Sequence, residues 1–152
     1  MQINGLQTTL LVIHVLAVAI WFGGIIALSY AGSALAGADY RVRRWFADAQ
    51  LAVGRVLFSA AGIITLVTGV WMVINNDAIE FSDAFVSIGF LVVIVGTILG
   101  MAVYAPACKQ LVTAIDSGDQ AAEAAASRKL MASNSVNAVL LLVAFVAMIA
   151  RW

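Results

Sequence analysis

The sequence predicts an all-α integral membrane protein: four transmembrane helices in an antiparallel bundle, both termini outside. Three observations carry that reading. Hydrophobic residues make up 64% of the 152-residue chain and charged residues 11%, against about 45–50% and about 25% in soluble domains. Four stretches are long and apolar enough to cross a hydrocarbon core of about 30 Å, which takes about 20 helical residues. Lysine and arginine gather in alternate links between those stretches, as the positive-inside rule requires of an even number of spans.

Span one covers roughly residues 6–28 and reads LLVIHVLAVAIWFGGIIAL from Leu10, without a charge. Its helix is expected to run on through SYAGSALAG. The link that follows holds Arg41, Arg43 and Arg44, and Arg55 opens span two, about 54–74. The next link is acidic, with Asp77, Glu80 and Asp83. Span three covers about 85–104, with Pro106 just beyond, and its Gly96-Thr-Ile-Leu-Gly100 lets helix backbones touch. From Lys109 to Lys129 the chain is rich in alanine and acids. Gly118 and then Asp119 predict a helix, a turn and a newly capped helix outside the membrane. Span four covers about 136–150, with Asn134 and Asn137 near its inner end, where a helix-start role is preferred over a bond across helices.

Seven of the eight basic residues lie in the first and third links, leaving only Arg151 beside Trp152. Those links are therefore expected in the cytoplasm, with the acidic link and the termini outside. Every span must be helical, because open strands leave backbone groups unpaired in lipid. Residues 1–152 read as a single domain, without repeats or a signal peptide. Net charge is zero, so no field for nucleic acid exists. Cys108 is the only cysteine and forms no intramolecular disulfide.

The only histidine, His14, lies about 12 Å inside span one at the helical rise. An ionisable ring at that depth must be neutral, paired or bound to something. His14, Ala17, Trp21 and Gly24 share a stripe, and span two carries a comparable one in Phe58, Gly62, Thr65, Gly69 and Met72. Depth matching places Thr68, Gly69, Val92, Val93, Leu142 and Val143 near His14. Met72 and Met148 lie closer to the outer surface, within reach only by tilt. Four roles stay open for the ring: a neutral group bonded to Thr68 or a backbone carbonyl, an axial ligand of haem, a copper ligand aided by methionine, or a proton carrier. The methionines Met1, Met72, Met101, Met131 and Met148 are scattered over both faces, which argues against a copper relay.

The first-span segment, its arginine-containing link, and Arg55 with LVTGVW resemble a superfamily of small four-helix bacterial membrane proteins. One branch is the CopD-type copper-resistance proteins, whose early span also reads histidine, then Trp-x-Gly-Gly. A second is the HemJ-type protoporphyrinogen IX oxidases, which bind haem b through a first-span histidine. A third is a set of short integral membrane proteins without assigned function, most similar to the late part of this chain, VYAPACKQL through RKLMAS. The resemblance implies that His14 matches the haem-binding histidine and that Trp21 and Gly24 match its neighbouring motif. Met72 would then be a candidate second cofactor contact. Span three here has no histidine, and its first lysine is Lys109. The Asn-Glu pair and terminal Lys-Pro of the HemJ type are replaced by Asn134-Ser135 and Ala150-Arg151-Trp152.

The favoured expectation is therefore a small accessory or structural subunit of the bacterial cytoplasmic membrane. It would form a homo-oligomer or join a larger complex, and would have no catalytic centre of its own. Haem b binding at His14, for electron transfer or HemJ-like oxidation, is the alternative, and CopD-like copper handling a further one.

Overall fold

A computed structural model describes residues 5–76 and 78–150. Among them every regular element is helical. Helix α1 spans Gly5–Ala34. Helix α2, Tyr40–Val53, passes through a π-turn at Gly54–Phe58 into α3, Ser59–Ile74. Helix α4, Ala84–Leu99, passes through a second π-turn at Gly100–Tyr104 into α5, Ala105–Ser117. Helix α6 spans Gln120–Ala150. Four continuous helices, Gly5–Ala34, Tyr40–Ile74, Ala84–Ser117 and Gln120–Ala150, are long and apolar enough to cross a membrane. Asp77, Met1, Arg151 and Trp152 lie outside the described residues.

The helices run 30 to 35 residues, longer than the roughly 20 that span hydrocarbon. The expected spans two to four stop short because hydropathy ends at the first charges. The helices continue because their extensions have a core of their own. Tyr104, Cys108, Leu111 and Ile115 pack there with Ala47, Ala126 and Leu130. A second core, built on Trp21, Ile25, Ala61, Val92, Leu141 and Ala144, holds the apolar segments together. Outward positions there are apolar, such as Ile20, Ile63, Ile94, Ile98 and Val139, whereas His14, Thr65, Thr68, Asn134 and Asn137 are buried. Polar inside and apolar outside is the arrangement a lipid solvent selects.

Local chemistry explains the boundaries. Asp39 caps α2, its carboxylate accepting from the Arg41 N–H at 2.9 Å. At the end of α5, Gly118 takes φ 71°, and Gly118 and Asp119 donate to Ile115 and Ala114, a Schellman closure. Asp119 then caps α6 through the Ala122 N–H at 2.9 Å, as its place after Gly118 predicts. Because a left-handed backbone costs a Cβ-bearing residue roughly 1–2 kcal/mol, Gly118→Ala is expected to lower stability by about 1 kcal/mol in detergent unfolding. Pro106, just beyond the expected span three, does not end the helix, which runs on to Ser117. The wider π-turn before it absorbs the missing N–H and the ring clash.

The extension is laced by ions. Arg43 pairs with Glu123 and Arg44 with Asp48. Arg44 Nε donates to Asp116 at 2.7 Å, and the Tyr40 hydroxyl donates to the same oxygen at 2.9 Å. Arg44 first, then Tyr40, hold the Asp116 carboxyl below its ordinary range. An aspartate held below its unfolded value of about 3.9 contributes stability above that pH and loses it as pH falls through the folded value. Acid titration from pH 5 toward 2 is expected to loosen α5 against α2, and Asp116→Asn to remove that part of the dependence. Helix-resolved hydrogen exchange is the readout.

Around the bundle, α1 packs on α3 and α6, and α4 packs on α6, whereas α3 and α4 meet only thinly. That gap positions the site.

Candidate functional site

His14 is buried, 5% exposed, on the face of α1 shared by Leu10, Ala17, Trp21 and Ile25. Gly24 was expected on that stripe. It borders the buried face, half-buried, and Ile25 beside it is fully buried there, since both lie about one turn beyond Trp21. Gly24 is packed against Phe58, whose Cε1 would stand 2.7 Å from an added Cβ.

The ring of His14 is held from α3. Its Nδ1 lies 3.0 Å from Thr68 Oγ1, and Thr68 Oγ1 lies 2.6 Å from the Ile64 carbonyl. A threonine hydroxyl has one proton. Spent on the Ile64 carbonyl, it leaves the oxygen to accept, so His14 Nδ1 carries the hydrogen and donates. The other tautomer would set two acceptors against each other and bury an unpaired N–H. His14 Nε2 is therefore the lone-pair nitrogen, and among the described residues it is buried without a hydrogen-bond partner. Gly69 keeps the ring's flank clear, since an added Cβ would sit 3.3 Å from Cε1.

The ring lines a cavity of about 600 Å³ between α1, α3, α4 and α6. That is within the roughly 300–1,000 Å³ of small-molecule and cofactor sites. Phe85, Phe90 and Phe145 supply its apolar walls, Met72 and Met148 its sulfur, and Gln7, Thr8 and Asn76 its polar groups. Among the described residues His14 is the only titratable side chain on this lining. Gln7 Nε2 donates to the Asn75 carbonyl at 2.7 Å.

Several depth-matched expectations resolve differently. Thr68, Gly69 and Val93 do accompany His14. Leu142 and Val143 are exposed, and α6 turns Phe145 and Met148 toward the cavity instead. Both methionines reach the histidine's cavity, although their sequence depth put them nearer the surface. Met148 extends across to α4, its Cε 3.1 Å from where a Gly89 Cβ would be. Trp21 does not line this cavity. Its indole fills notches at Gly62 and Gly96, where added Cβ atoms would lie 3.6 Å and 3.1 Å away, and faces a second cavity. Asn134 and Asn137 are not helix-start residues but lie well inside α6, and Asn134 Nδ2 donates to Ser29 Oγ at 3.0 Å. Helix α6 begins near Gln120, so its start lies far from either asparagine.

The residues present fit a haem. The orphaned Nε2 would be the ring atom free to bind iron, with Nδ1 held by Thr68 as the other nitrogen of a metal-bound imidazole usually is held. Among the described residues no three His, Cys, Asp or Glu side chains group to hold a metal. A bare ion at His14 would depend on Met72 and Met148, whereas a porphyrin brings four nitrogens of its own. No family model, curated protein or solved structure gives a significant match to the chain.

Proposed function

We propose that this chain is a multi-pass protein of the bacterial cytoplasmic membrane that holds haem b through His14. The observation that carries this reading is the buried, unpartnered Nε2. An unmade buried hydrogen bond costs about 1–3 kcal/mol, and a ligand on that nitrogen would offset it. In this reading His14 binds iron, Thr68 orients the ring, and Met72 or Met148 is the candidate on the other side. The three phenylalanines exclude water, and the amides of Gln7 and Asn76 meet the polar edge. Haem so bound supplies one-electron chemistry. Among the described residues the lining carries neither a carboxylate nor a lysine, and on that lining the chain favours electron transfer over proton removal from a substrate.

The proposed topology is antiparallel, with termini and acidic link outside and the basic extension in the cytoplasm. Gln7 of α1 meeting Asn75 at the end of α3 supports it, as does Gly32 of α1 facing Gln50 of α2.

The test is an absorption spectrum of the protein expressed with ample haem and purified in mild detergent, air-oxidised and then dithionite-reduced. A Soret band with b-type reduced peaks is expected at about one haem per chain. Its absence would return His14 to packing and favour a second reading, that of an accessory subunit, for which the thin α3–α4 contact offers a partner surface. Copper bound stoichiometrically without haem would instead favour the CopD-like alternative.

A further inference from the structure

The second cavity, about 410 Å³, lies between α3 and α4 toward the extension. It touches both π-turns, through Gly54 and Phe58 on one and Gly100 and Tyr104 on the other. Single π-turns within α-helices are frequent at functional sites. Its rim carries Ile63 and Met101, 62% and 68% exposed, and the exposed Arg55 and Ser59. The apolar pair turns part of the mouth toward lipid, and Arg55 marks its polar end beside the basic extension.

Its interior is aromatic. Trp21 forms one wall, and Phe58 and Tyr104 stand edge to face with centroids 6.2 Å apart. The Tyr104 hydroxyl is turned away, toward the Gln50 carbonyl at 3.5 Å. From α6, Asn137 reaches this cavity. It is 8% exposed, its Oδ1 has no hydrogen-bond partner, and that atom would lie 3.0 Å from an added Gly96 Cβ.

From this geometry we infer a binding site for a lipid-soluble hydroquinone, its ring against Trp21 and Phe58 and a ring hydroxyl donated to Asn137 Oδ1. An acyl chain matches the apolar walls but leaves Asn137 unpaired. A water-soluble phenol lacks the tail that would cover the exposed Ile63 and Met101. A ring with two hydroxyls and an alkyl tail meets each condition: flat faces for aromatic walls, a donor for the orphan acceptor, and a tail that stays in the membrane. The amide also carries an N–H₂, which suits the carbonyl of the oxidised ring. This site shares no functional group with His14, so it stands whether or not haem is bound.

The test uses the full chain in nanodiscs of zwitterionic lipid. The probe is decyl-benzohydroquinone kept reduced, with decylbenzene and oleate as comparators and empty discs as background. Saturable binding of the hydroquinone alone is expected, weakened at least about tenfold in Asn137→Leu, as loss of one buried hydrogen bond requires. Ile63→Trp narrows the mouth from an exposed position and is expected to weaken binding without touching the core. His14→Ala is expected to leave it unchanged. The inference is overturned by absence of saturable binding, by equal binding of decylbenzene or oleate, or by unchanged affinity in a folded Asn137→Leu. If Asn137→Leu does not fold, unchanged affinity in Ile63→Trp overturns it equally.

Discussion

His14→Ala is expected to abolish the reduced b-type spectrum while the helical content of the protein stays as it was. Haem bound as proposed would lose its histidine, and among the described residues of the lining nothing else replaces an imidazole. The apoprotein loses only one ring from a cavity that already exists, and Thr68 keeps its bond to Ile64. A graded series sharpens this result. Thr68→Val removes the acceptor that fixes Nδ1–H, freeing the ring to rotate or change tautomer. Orienting partners of this kind are worth about 10–100-fold in metal affinity, so haem titration should show a loss in that range. Thr68→Ser keeps the oxygen and should stay near wild type. Gly69→Val would crowd the ring from α3, since an added Cβ starts 3.3 Å from Cε1, and should lower occupancy without removing a ligand. A full spectrum in His14→Ala would place any haem elsewhere and end the proposal.

The second large effect concerns stability. Gly54→Ala should destabilise the bundle by about 1–3 kcal/mol, the usual cost of overpacking. An added Cβ would stand 2.6 Å from Tyr104 Cε1. That ring is 5% exposed, braced by Phe58 and packed among Cys108, Leu111 and Leu130, so it can give way only into the second cavity, at the cost of those contacts. Gly100→Ala is the control. It begins the other π-turn but meets nothing within 4 Å, so better helix propensity should leave it at or above wild type. Melting in a fixed detergent compares the two. Tyr104→Leu should recover part of the Gly54→Ala loss, giving a coupling between neighbours of about 0.5–3 kcal/mol. Independent effects would mean that the ring moves aside.

The segments that cross the membrane were legible because lipid imposes a one-dimensional demand. A long uncharged run has few alternatives to a helix of matching length. Gly118 followed by Asp119 was legible for a similar reason, since a left-handed stop and a capping carboxylate act within a few residues of themselves. The true helix lengths were not. Charges at Arg43, Arg44 and Asp116 end a hydropathy window, yet these residues pair across α2, α5 and α6 and carry the helices onward. The roles of Asn134 and Asn137 failed with them, because a cap is recognised by its distance from a helix end that hydropathy misplaced.

At the site, the sequence by itself determined that one ionisable ring is embedded in apolar helix, and that Thr68 and Gly69 lie at its depth. A single span fixes depth through the constant rise per residue. Only the tertiary structure decided which faces meet. It brought Met72 and Met148 to His14, turned Leu142 and Val143 outward, and moved Trp21 to a separate cavity. It also gave Nε2 its lone pair, because the tautomer follows from where Thr68 sends its only proton. Rotation about a helix axis and the sharing of one hydrogen among three atoms depend on neighbours distant in the chain. A local pattern of hydropathy carries no record of either.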